Sequence, residues 1–350
     1  MSVQYVSVQW NRQKKFYDAV LLGCVAVYLV LFALVTKMLF PLVTDEIMLM
    51  RAFGTAAFLL LHIILCIGPL CRLNPKFLPL LYNRRHAGVT MFLLALIHAV
   101  LVVATYHAGS DTNPILSIFV SSPINGSVSG VPFQPFGFFA LVILFLLAAT
   151  SHDFWLANLT APVWKTLHMM VYLAYALLIL HVTFGILQGE SSPVYVGAVA
   201  IGLIVVLSLH LAAANHEVAI DNESRNTKHE TRSNAFIDAC AVTDIPENRA
   251  RIVCISGERV AIFKYDGKIS AVSNVCQHQN GPLGEGKIVH GCITCPWHGY
   301  QYQPDTGASP PPFVEKVPTF NLRVVDGRVL LDPKPNPAGT RAEPVVVVTS

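Results

Sequence analysis

Two short stretches near the C-terminal end decide what this sequence can be: Cys276–His278, which reads Cys-Gln-His, and Cys295–His298, which reads Cys-Pro-Trp-His. Sixteen residues separate them, and each stretch carries one cysteine and one histidine. A two-iron, two-sulfur cluster with this ligand set has two cysteines on one iron and two histidines on the other. A structural zinc site of the Cys₂His₂ type is the alternative, although zinc fingers place both cysteines before both histidines.

The residues that flank the two stretches favour the iron–sulfur interpretation. Gln279–Leu283 follows the first stretch and Gly299–Tyr300 follows the second. With these flanks, residues 235–333 resemble a Rieske 2Fe–2S domain. The resemblance implies that both cysteines and both histidines of the two stretches are ligands of the cluster.

The first two-thirds of the chain have a different character. Only 13% of the 350 residues are charged, whereas a soluble domain has about 25%. The deficit lies in residues 16–214, where apolar runs are long enough to cross a bilayer, which takes about 20 helical residues. We therefore predict a membrane all-α six-helix bundle followed by a small soluble all-β domain. The six helices are expected at Tyr17–Phe40, Ala52–Cys71, Ala87–His107, Phe136–Ser151, Trp164–Leu187 and Pro193–Ala214.

Positive charge predicts the orientation. Lysine and arginine occur in the N-terminal segment 1–15 and between the second and third helices, whereas residues 108–133 contain neither. This bias places both termini in the cytoplasm of a multi-pass protein in an inner or plasma membrane, with lipid around it. The net charge of +3 is small, and no basic patch with aromatics occurs, so nucleic acid is not an expected partner.

After the last helix the sequence changes twice. Residues 215–234 are polar and without period, which predicts a linker. From there to residue 333, short β-rich runs predict a small antiparallel domain, and Asp266-Gly267 and Asp326-Gly327 are strong hairpin signals between such runs. The remaining residues, 334–350, are Pro-rich and are expected to form a flexible tail.

Histidines within the apolar runs indicate function, because an ionisable residue inside a spanning helix is a functional site by default. His98 and His181 lie deep in the third and fifth helices, and neutral imidazole is a good axial ligand of haem iron. His168 lies 13 residues before His181, roughly 20 Å along a helix, so that one helix could serve two haems. His86 is a candidate partner of His168. The remaining histidines in or near these runs are His62, His107 and His210.

Two reservations apply to the haem interpretation. The 13-residue step leaves His168 and His181 roughly 140° apart around an ideal helix, so the two haems cannot lie on one stripe of a straight helix. A single histidine such as His62 or His210 is also explained by a hydrogen bond to a backbone carbonyl or a hydroxyl.

Several motifs follow one another in the first 190 residues: Arg51–Gly54, Gly68–Leu70, Arg84–Gly88 and Trp164–His168. In this order, residues 15–190 resemble the ferric-reductase-like transmembrane domain, which includes the haem membrane subunit of the periplasmic methionine sulfoxide reductase system. The resemblance implies a six-helix bundle with one or two b-type haems. A flavin also fits the resemblance, but no residue can be assigned to it.

The same resemblance bears on individual histidines. His98, His168 and His181 fall on the family's histidine positions, whereas His86 does not match one clearly. The partner of His168 therefore stays open. Nearby Arg84 would pair with a haem propionate or simply mark the cytoplasmic side of the membrane.

The Rieske-like part departs from the high-potential proteins of quinol-oxidising complexes. Those proteins carry a disulfide where this sequence has Gly281 and Trp297, and a serine where it has Tyr300. Hydrogen bonds to the cluster sulfurs raise the potential, so their loss predicts a value near the lower end of the Rieske range, about −150 mV. The sequence instead resembles ferredoxin-type Rieske domains. No 2-His-1-carboxylate domain follows, and no G-x-G-x-x-G run marks a nicotinamide site.

The sequence thus predicts an oxidoreductase or electron-transfer component without an assigned catalytic residue. A cytoplasmic Rieske cluster would exchange single electrons with a soluble donor and with membrane b-type haem, for an extracytoplasmic acceptor. One alternative is a membrane-anchored Rieske ferredoxin that serves an oxygenase or reductase partner without haem. Another is a redox sensor, in which the state of the cluster changes the binding of a partner.

Overall fold

The computed structural model describes residues 12–81, 83–109, 111–120, 131–152, 155, 159, 161–189, 193–227, 236–255, 257–278, 281–297 and 299–347. Most of the N-terminal segment, the second part of the expected linker and His298 lie outside these ranges. The chain divides into two compact units. One contains Trp10–Leu70 and Asn83–Leu211, and the other contains Cys71–Tyr82 and Ala212–Ser350.

The part of the chain before the β domain is helical. In chain order the helices are α1 (Arg12–Leu39), α2 (Asp45–Leu73), α3 (Leu78–Leu81), α4 (Arg84–Tyr106), α5 (Pro114–Val120), α6 (Gln134–Ala149), α7 (Ala161–Met169), α8 (Val171–Phe184), α9 (Ile186–Gly189) and α10 (Pro193–Thr227). Among the described residues, five helical stretches can cross a membrane by length and composition: Arg12–Leu39, Asp45–Leu73, Arg84–Tyr106, Val163–Phe184 and Pro193–Ala219. Helix α6 is apolar but shorter, with 16 residues.

The expected count of six helices is corrected to eight, counting helices of seven or more residues in the described part of the chain. Helix α5 was not expected, because seven residues are too few for a spanning pattern. The fifth expected helix is divided at Met170 into α7 and α8. At this point the Met170 N–H donates to the Leu167 carbonyl, three residues back, instead of continuing the α-helical pattern.

The helices pack around a core to which α2, α4, α6 and α8 contribute. On α2, Ala57, Leu61 and Leu65 are buried at intervals of four residues, which places them on one face of the helix. Ala174 of α8 and Leu144 of α6 complete the centre of this core. Small residues such as alanine let the helices approach closely, as is usual between helices in a membrane.

In its described residues, the β domain contains three small antiparallel sheets. Their strand orders are β1–β10–β9, β11–β4–β3–β2 with β8 also on β4, and β5–β6–β7. The strands are β1 (Ile237–Ala241), β2 (Arg249–Ile255), β3 (Glu258–Tyr265), β4 (Lys268–Ser273), β5 (Lys287–Val289), β6 (Cys292–Thr294), β7 (Gln301–Tyr302), β8 (Thr319–Phe320), β9 (Leu322–Val325), β10 (Arg328–Leu331) and β11 (Val345–Val346).

The two hairpin turns expected from the sequence are confirmed. Asp266-Gly267 joins β3 to β4 with φ values of 47° and 68°, and Asp326-Gly327 joins β9 to β10 with φ values of 49° and 73°. Positive φ at both central positions matches the twist of antiparallel strands. A third turn of this kind, His290-Gly291, joins β5 to β6 next to the loops that carry the cysteines.

The expected linker and the expected flexible tail both contain regular structure. Helix α10 continues to Thr227, through much of the segment expected to be a linker. The segment expected to be a flexible tail is packed as far as residue 347, because Val345 and Val346 pair with β4 and the Ala342 N–H donates to the Asp305 carbonyl. A run of four valines, residues 345–348, supplies this extra strand, and the prolines before it obscure the strand in the sequence.

Candidate metal centres

The first candidate centre lies on two loops of the β domain. Cys276 and His278 follow strand β4, and Cys295 follows strand β6. All three side chains are almost inaccessible, with exposed fractions of 0%, 2% and 1%. The fourth expected ligand, His298, lies outside the described residues. Thiolate and imidazole donors of this kind suit zinc and iron–sulfur clusters.

Backbone hydrogen bonds close each loop just after its cysteine. The Cys276 N–H donates to the Gly281 carbonyl at 2.9 Å, and the Cys295 N–H donates to the Tyr300 carbonyl at 2.8 Å. The two loops meet at Gly281, where an added Cβ would lie 2.8 Å from the Sγ atom of Cys295 and 3.2 Å from the ring of Trp297. A side chain at Gly281 would therefore displace Cys295.

The arrangement of the donors distinguishes the two kinds of metal site. A zinc ion would bring Cys276, His278 and Cys295 around one point. Within the described residues, no three His, Cys, Asp or Glu side chains are grouped in that way. A 2Fe–2S cluster asks for only two protein ligands at each iron. The three buried donors on two touching loops therefore fit the cluster better than zinc.

The second candidate centre is a pair of histidines in the membrane helices. The Nδ1–H of His98 donates to the Met50 carbonyl at 2.9 Å, and the Nδ1–H of His181 donates to the Phe133 carbonyl at 3.0 Å. A carbonyl only accepts, so in the neutral rings Nε2 carries the lone pair. Neither Nε2 atom makes a hydrogen bond within the described part of the chain. Metal-binding histidines typically donate their other N–H in this way.

The distance between these two rings allows a test of fit. The ring centroids of His98 and His181 are 6.5 Å apart, and the ring planes cross at 80°. One iron bonded to both Nε2 atoms would hold the ring centroids roughly 6.4 Å apart, from two metal–nitrogen bonds of about 2.0 Å and about 1.2 Å from each nitrogen to its ring centre. The observed centroid spacing is therefore compatible with one iron held by both imidazoles.

Two other membrane histidines have both nitrogens occupied. The Nδ1–H of His62 donates to the Phe58 carbonyl at 2.8 Å, and its Nε2 accepts the Tyr175 hydroxyl at 3.0 Å. His210 has the same arrangement, with the carbonyl of its own helix four residues back at 2.8 Å and the Tyr172 hydroxyl at 3.1 Å. These rings have no lone pair left for a metal.

His168 resembles the first pair in its hydrogen bonding. Its Nδ1–H donates to the Trp164 carbonyl at 3.1 Å, and the two rings stack at 3.4 Å. Its Nε2 is buried and has no hydrogen-bond partner among the described residues. A buried polar atom without a partner is uncommon and calls for an explanation, such as a bound group.

His86 is held by residues that the sequence reasoning missed. Its Nδ1–H donates to Asp18 Oδ2 at 2.7 Å, and the other oxygen of Asp18 accepts the side-chain N–H of Asn83. Asp18 is the one acidic residue in the first apolar run, and this isolation is a signal that the sequence offers. Within the described residues, no ring contact joins His86 to His168.

Two family models match this chain. One, described as Rieske [2Fe-2S] domain, matches residues 235–321, and the other, described as Ferric reductase like transmembrane component, matches residues 53–179. The chain therefore carries a Rieske domain after a ferric-reductase-like transmembrane domain. Together with the apolar helices, this makes it a multi-pass membrane protein.

The matched segments of several similar proteins are about as long as the Rieske domain. The ferredoxin component of the naphthalene 1,2-dioxygenase system of Pseudomonas aeruginosa is 30% identical over 98 residues, which are 28% of this chain and 94% of that protein. The ferredoxin component of the alkene monooxygenase system of Xanthobacter autotrophicus is 29% identical over 103 residues, 29% of this chain and 84% of that protein. Among solved structures, a Sphingomonas yanoikuyae B1 ferredoxin is 26% identical with a TM-score of 0.27, and the match covers 28% of this chain and 98% of that one.

In the Rieske domain, Tyr300 packs on the ring of His278. The two ring centroids are 4.6 Å apart and the planes are nearly parallel, at 7°. The Tyr300 hydroxyl donates to the carboxylate of Glu315. Burial, and then this bond to Glu315, raise the pKa of Tyr300 well above its ordinary value. The Tyr300 hydroxyl, which stands where high-potential Rieske proteins have a serine donor, is therefore hydrogen-bonded to a carboxylate.

Tyr302 is a residue of the Rieske domain that the sequence reasoning missed. Its Oη accepts the Gln277 N–H at 3.1 Å and lies 3.4 Å from the Sγ atom of Cys276. Burial, and then the charge of Cys276, raise the pKa of Tyr302 far above its ordinary value, so the hydroxyl keeps its proton. A ligating thiolate has no proton to give. Tyr302 is therefore the donor, and the expected loss of sulfur hydrogen bonds is incomplete.

Proposed function

We propose that this chain carries single electrons across a membrane. The observation that carries the proposal is the pair His98 and His181, whose Nε2 atoms are free of hydrogen bonds in the described membrane helices of a chain that also has a Rieske domain. When bound, a 2Fe–2S cluster and a b-type haem each take up and release one electron. The role of the chain is to provide the ligands, to keep water away from them and to fix their spacing.

The assignment of ligands follows from the hydrogen bonds. His98 and His181 would hold one b-type haem. His168, with its buried Nε2, would hold a second, and His86 is the candidate for its opposite ligand. The ligands proposed for the 2Fe–2S cluster are Cys276, His278, Cys295 and His298. The family also leaves room for a flavin, to which no described residue is assigned.

The distribution of positive charge supports an orientation in the membrane. Lysine and arginine lie in the first turn of α1 and around the connection from α2 to α4, which favours both termini in the cytoplasm of an inner or plasma membrane. The similar proteins are ferredoxin components of oxygenase systems, which supports a soluble cytoplasmic protein as the electron donor to the Rieske domain. The acceptor would lie on the other side and be a ferric chelate, an oxidoreductase or oxygen.

The test is optical difference spectroscopy of the purified protein, reduced with dithionite. The parent should show the Soret and α bands of b-type haem. His98→Ala and His181→Ala should each lose the bands of the haem that this pair holds, because one axial ligand is gone. His210→Ala is the matched control, since that ring has no free lone pair, and its spectrum should equal that of the parent. The paramagnetic signal of the reduced 2Fe–2S cluster should persist in all four proteins.

A second function is favoured by one observation: the similar proteins include ferredoxin components about as long as the Rieske domain. In this alternative the helices only anchor a ferredoxin near an oxygenase or reductase partner. A parent protein with a full complement of 2Fe–2S cluster and no haem band would support the anchored ferredoxin and contradict transmembrane electron transfer.

A further inference from the structure

Two glycines of the membrane helices lie directly against the histidines proposed as haem ligands. A Cβ added to Gly54 of α2 would lie 2.8 Å from Nδ1 of His98, and a Cβ added to Gly137 of α6 would lie 2.7 Å from Nδ1 of His181. Real Cβ atoms essentially never approach another heavy atom within 3.0 Å. Neither position can therefore carry a side chain unless the imidazole moves.

A third glycine provides the contrast. A Cβ added to Gly202 of α10 would lie 2.8 Å from Nε2 and 2.9 Å from Cδ2 of His62. This is the edge of the ring that also accepts the hydroxyl of Tyr175. At His98 and His181 the glycine faces the opposite edge, formed by Nδ1, Cε1 and Cγ. The glycine thus lies against the Nε2 edge of His62 but against the Nδ1 edge of His98 and His181.

We infer that Gly54 and Gly137 are positioning residues for the pair of imidazoles. On its Nδ1 edge each ring has the carbonyl that accepts its N–H, and beside it a glycine whose lack of a side chain leaves room for the ring in that orientation. A side chain at either glycine would push the ring away from its carbonyl. This inference rests on the proposed function, because it concerns histidines that hold haem.

This arrangement of carbonyl and glycine on each ring also sets the angle between the two ring planes. The planes of His98 and His181 cross at 80°. When two axial imidazoles are nearly perpendicular, two of the d orbitals of ferric iron have almost the same energy. The low-spin ferric haem then gives a strongly anisotropic paramagnetic signal with a single low-field feature. Parallel imidazoles give a rhombic signal with three features, so the signal reports the angle that the glycines maintain.

The experiment compares four glycine variants by electron paramagnetic resonance of the oxidised, full-length protein. Gly54→Ala and Gly137→Ala should each move the low-field feature toward a rhombic signal or remove the haem, because the added methyl pushes the imidazole off its carbonyl. Gly202→Ala introduces an equal collision at a ring that holds no haem. Gly88→Ala, on the same helix as His98, adds a methyl where no atom lies within 4 Å. Both controls should retain the parent's haem signal.

The outcomes separate the inference from the proposed function. The signal of the reduced 2Fe–2S cluster, measured in the same samples, shows that each variant has folded. A parent with haem, together with an unchanged signal in Gly54→Ala and Gly137→Ala, would overturn the positioning role alone. If both variants fail to fold, the parent still decides, because a rhombic signal from the haem of His98 and His181 contradicts the crossed arrangement. A parent without haem would overturn the proposed function itself.

Discussion

Four histidines of the membrane helices form two pairs that differ at one atom: a closed pair, His62 and His210, and an open pair, His98 and His181. His62 and His210 have Nδ1 bonded to a carbonyl and Nε2 bonded to a tyrosine hydroxyl. His98 and His181 have the same bond at Nδ1 and no hydrogen bond at Nε2 among the described residues. All four occur in similar apolar runs of sequence. The difference teaches that an intramembrane histidine is recognised as a ligand by what its second nitrogen contacts, and that depth in the helix alone does not distinguish the groups.

The physical reason lies in the cost of burial. A buried nitrogen lone pair without a partner costs about 1–3 kcal/mol. At His62 and His210 a tyrosine removes this cost, so each ring is a finished structural contact. At His168 the buried Nε2 has no such partner among the described residues, and a metal bound there would accept its lone pair.

The largest expected effect concerns His168, whose buried Nε2 also has no hydrogen bond among the described residues. If open nitrogens mark ligands, His168→Ala should remove one of two haems and leave the haem of the other pair. The measurement is the ratio of haem to acid-labile sulfide in the purified protein, which should fall to about half that of the parent. A ratio equal to that of the parent would mean that His168 is not a haem ligand.

An intermediate effect is expected where a closed histidine is removed. His62→Ala leaves the Tyr175 hydroxyl without its acceptor and opens a small cavity, so the free energy of unfolding should fall by about 1–3 kcal/mol. The haem content should not change. Unfolding in mixed micelles with increasing dodecyl sulfate measures the first quantity, and haem absorbance measures the second. Haem loss before unfolding would break the division between closed and open histidines.

The smallest expected effect applies the same comparison to two tyrosines of the Rieske domain. Tyr302 donates toward the Sγ atom of Cys276, whereas the hydroxyl of Tyr300 donates to Glu315. Tyr302→Phe should lower the reduction potential of the cluster by about 40 mV, because a hydrogen bond of about 1 kcal/mol to the sulfur is lost. Tyr300→Phe is the matched control and should change the potential less. A redox titration followed by paramagnetic resonance would show an equal shift in both variants if neither hydroxyl acts through a sulfur.

The features that can be predicted from this sequence are those that neighbouring residues determine. The Asp266-Gly267 and Asp326-Gly327 turns are dictated by neighbouring residues that tolerate positive φ. The apolar helices are recognised because the bilayer excludes charge over a whole run. The cysteines and histidines of the Rieske domain are recognised because both loops concentrate rare donor residues within a few positions.

The rest depends on residues that are distant in the chain. The carbonyl that fixes His98 belongs to Met50, and the one that fixes His181 belongs to Phe133; both are 48 positions away. A backbone carbonyl is available at every position, so the sequence holds no mark of the one that is used. The hydroxyl of Tyr302 and the pairing of β11 with β4 were missed for the same reason. Their partners are set by the folded structure and lie at no fixed separation in the sequence.

The most direct measurement of the central claim uses the protein reconstituted in closed liposomes that contain ferricyanide. Dithionite is added outside as a reductant that crosses the bilayer poorly, and the loss of ferricyanide absorbance inside is followed. We expect the parent to reduce the trapped ferricyanide and His210→Ala to do so at the same rate. The rates of His98→Ala and His181→Ala should not exceed the rate of liposomes without protein. Equal rates in His98→Ala, His181→Ala and the parent would contradict electron transfer through the open pair of histidines.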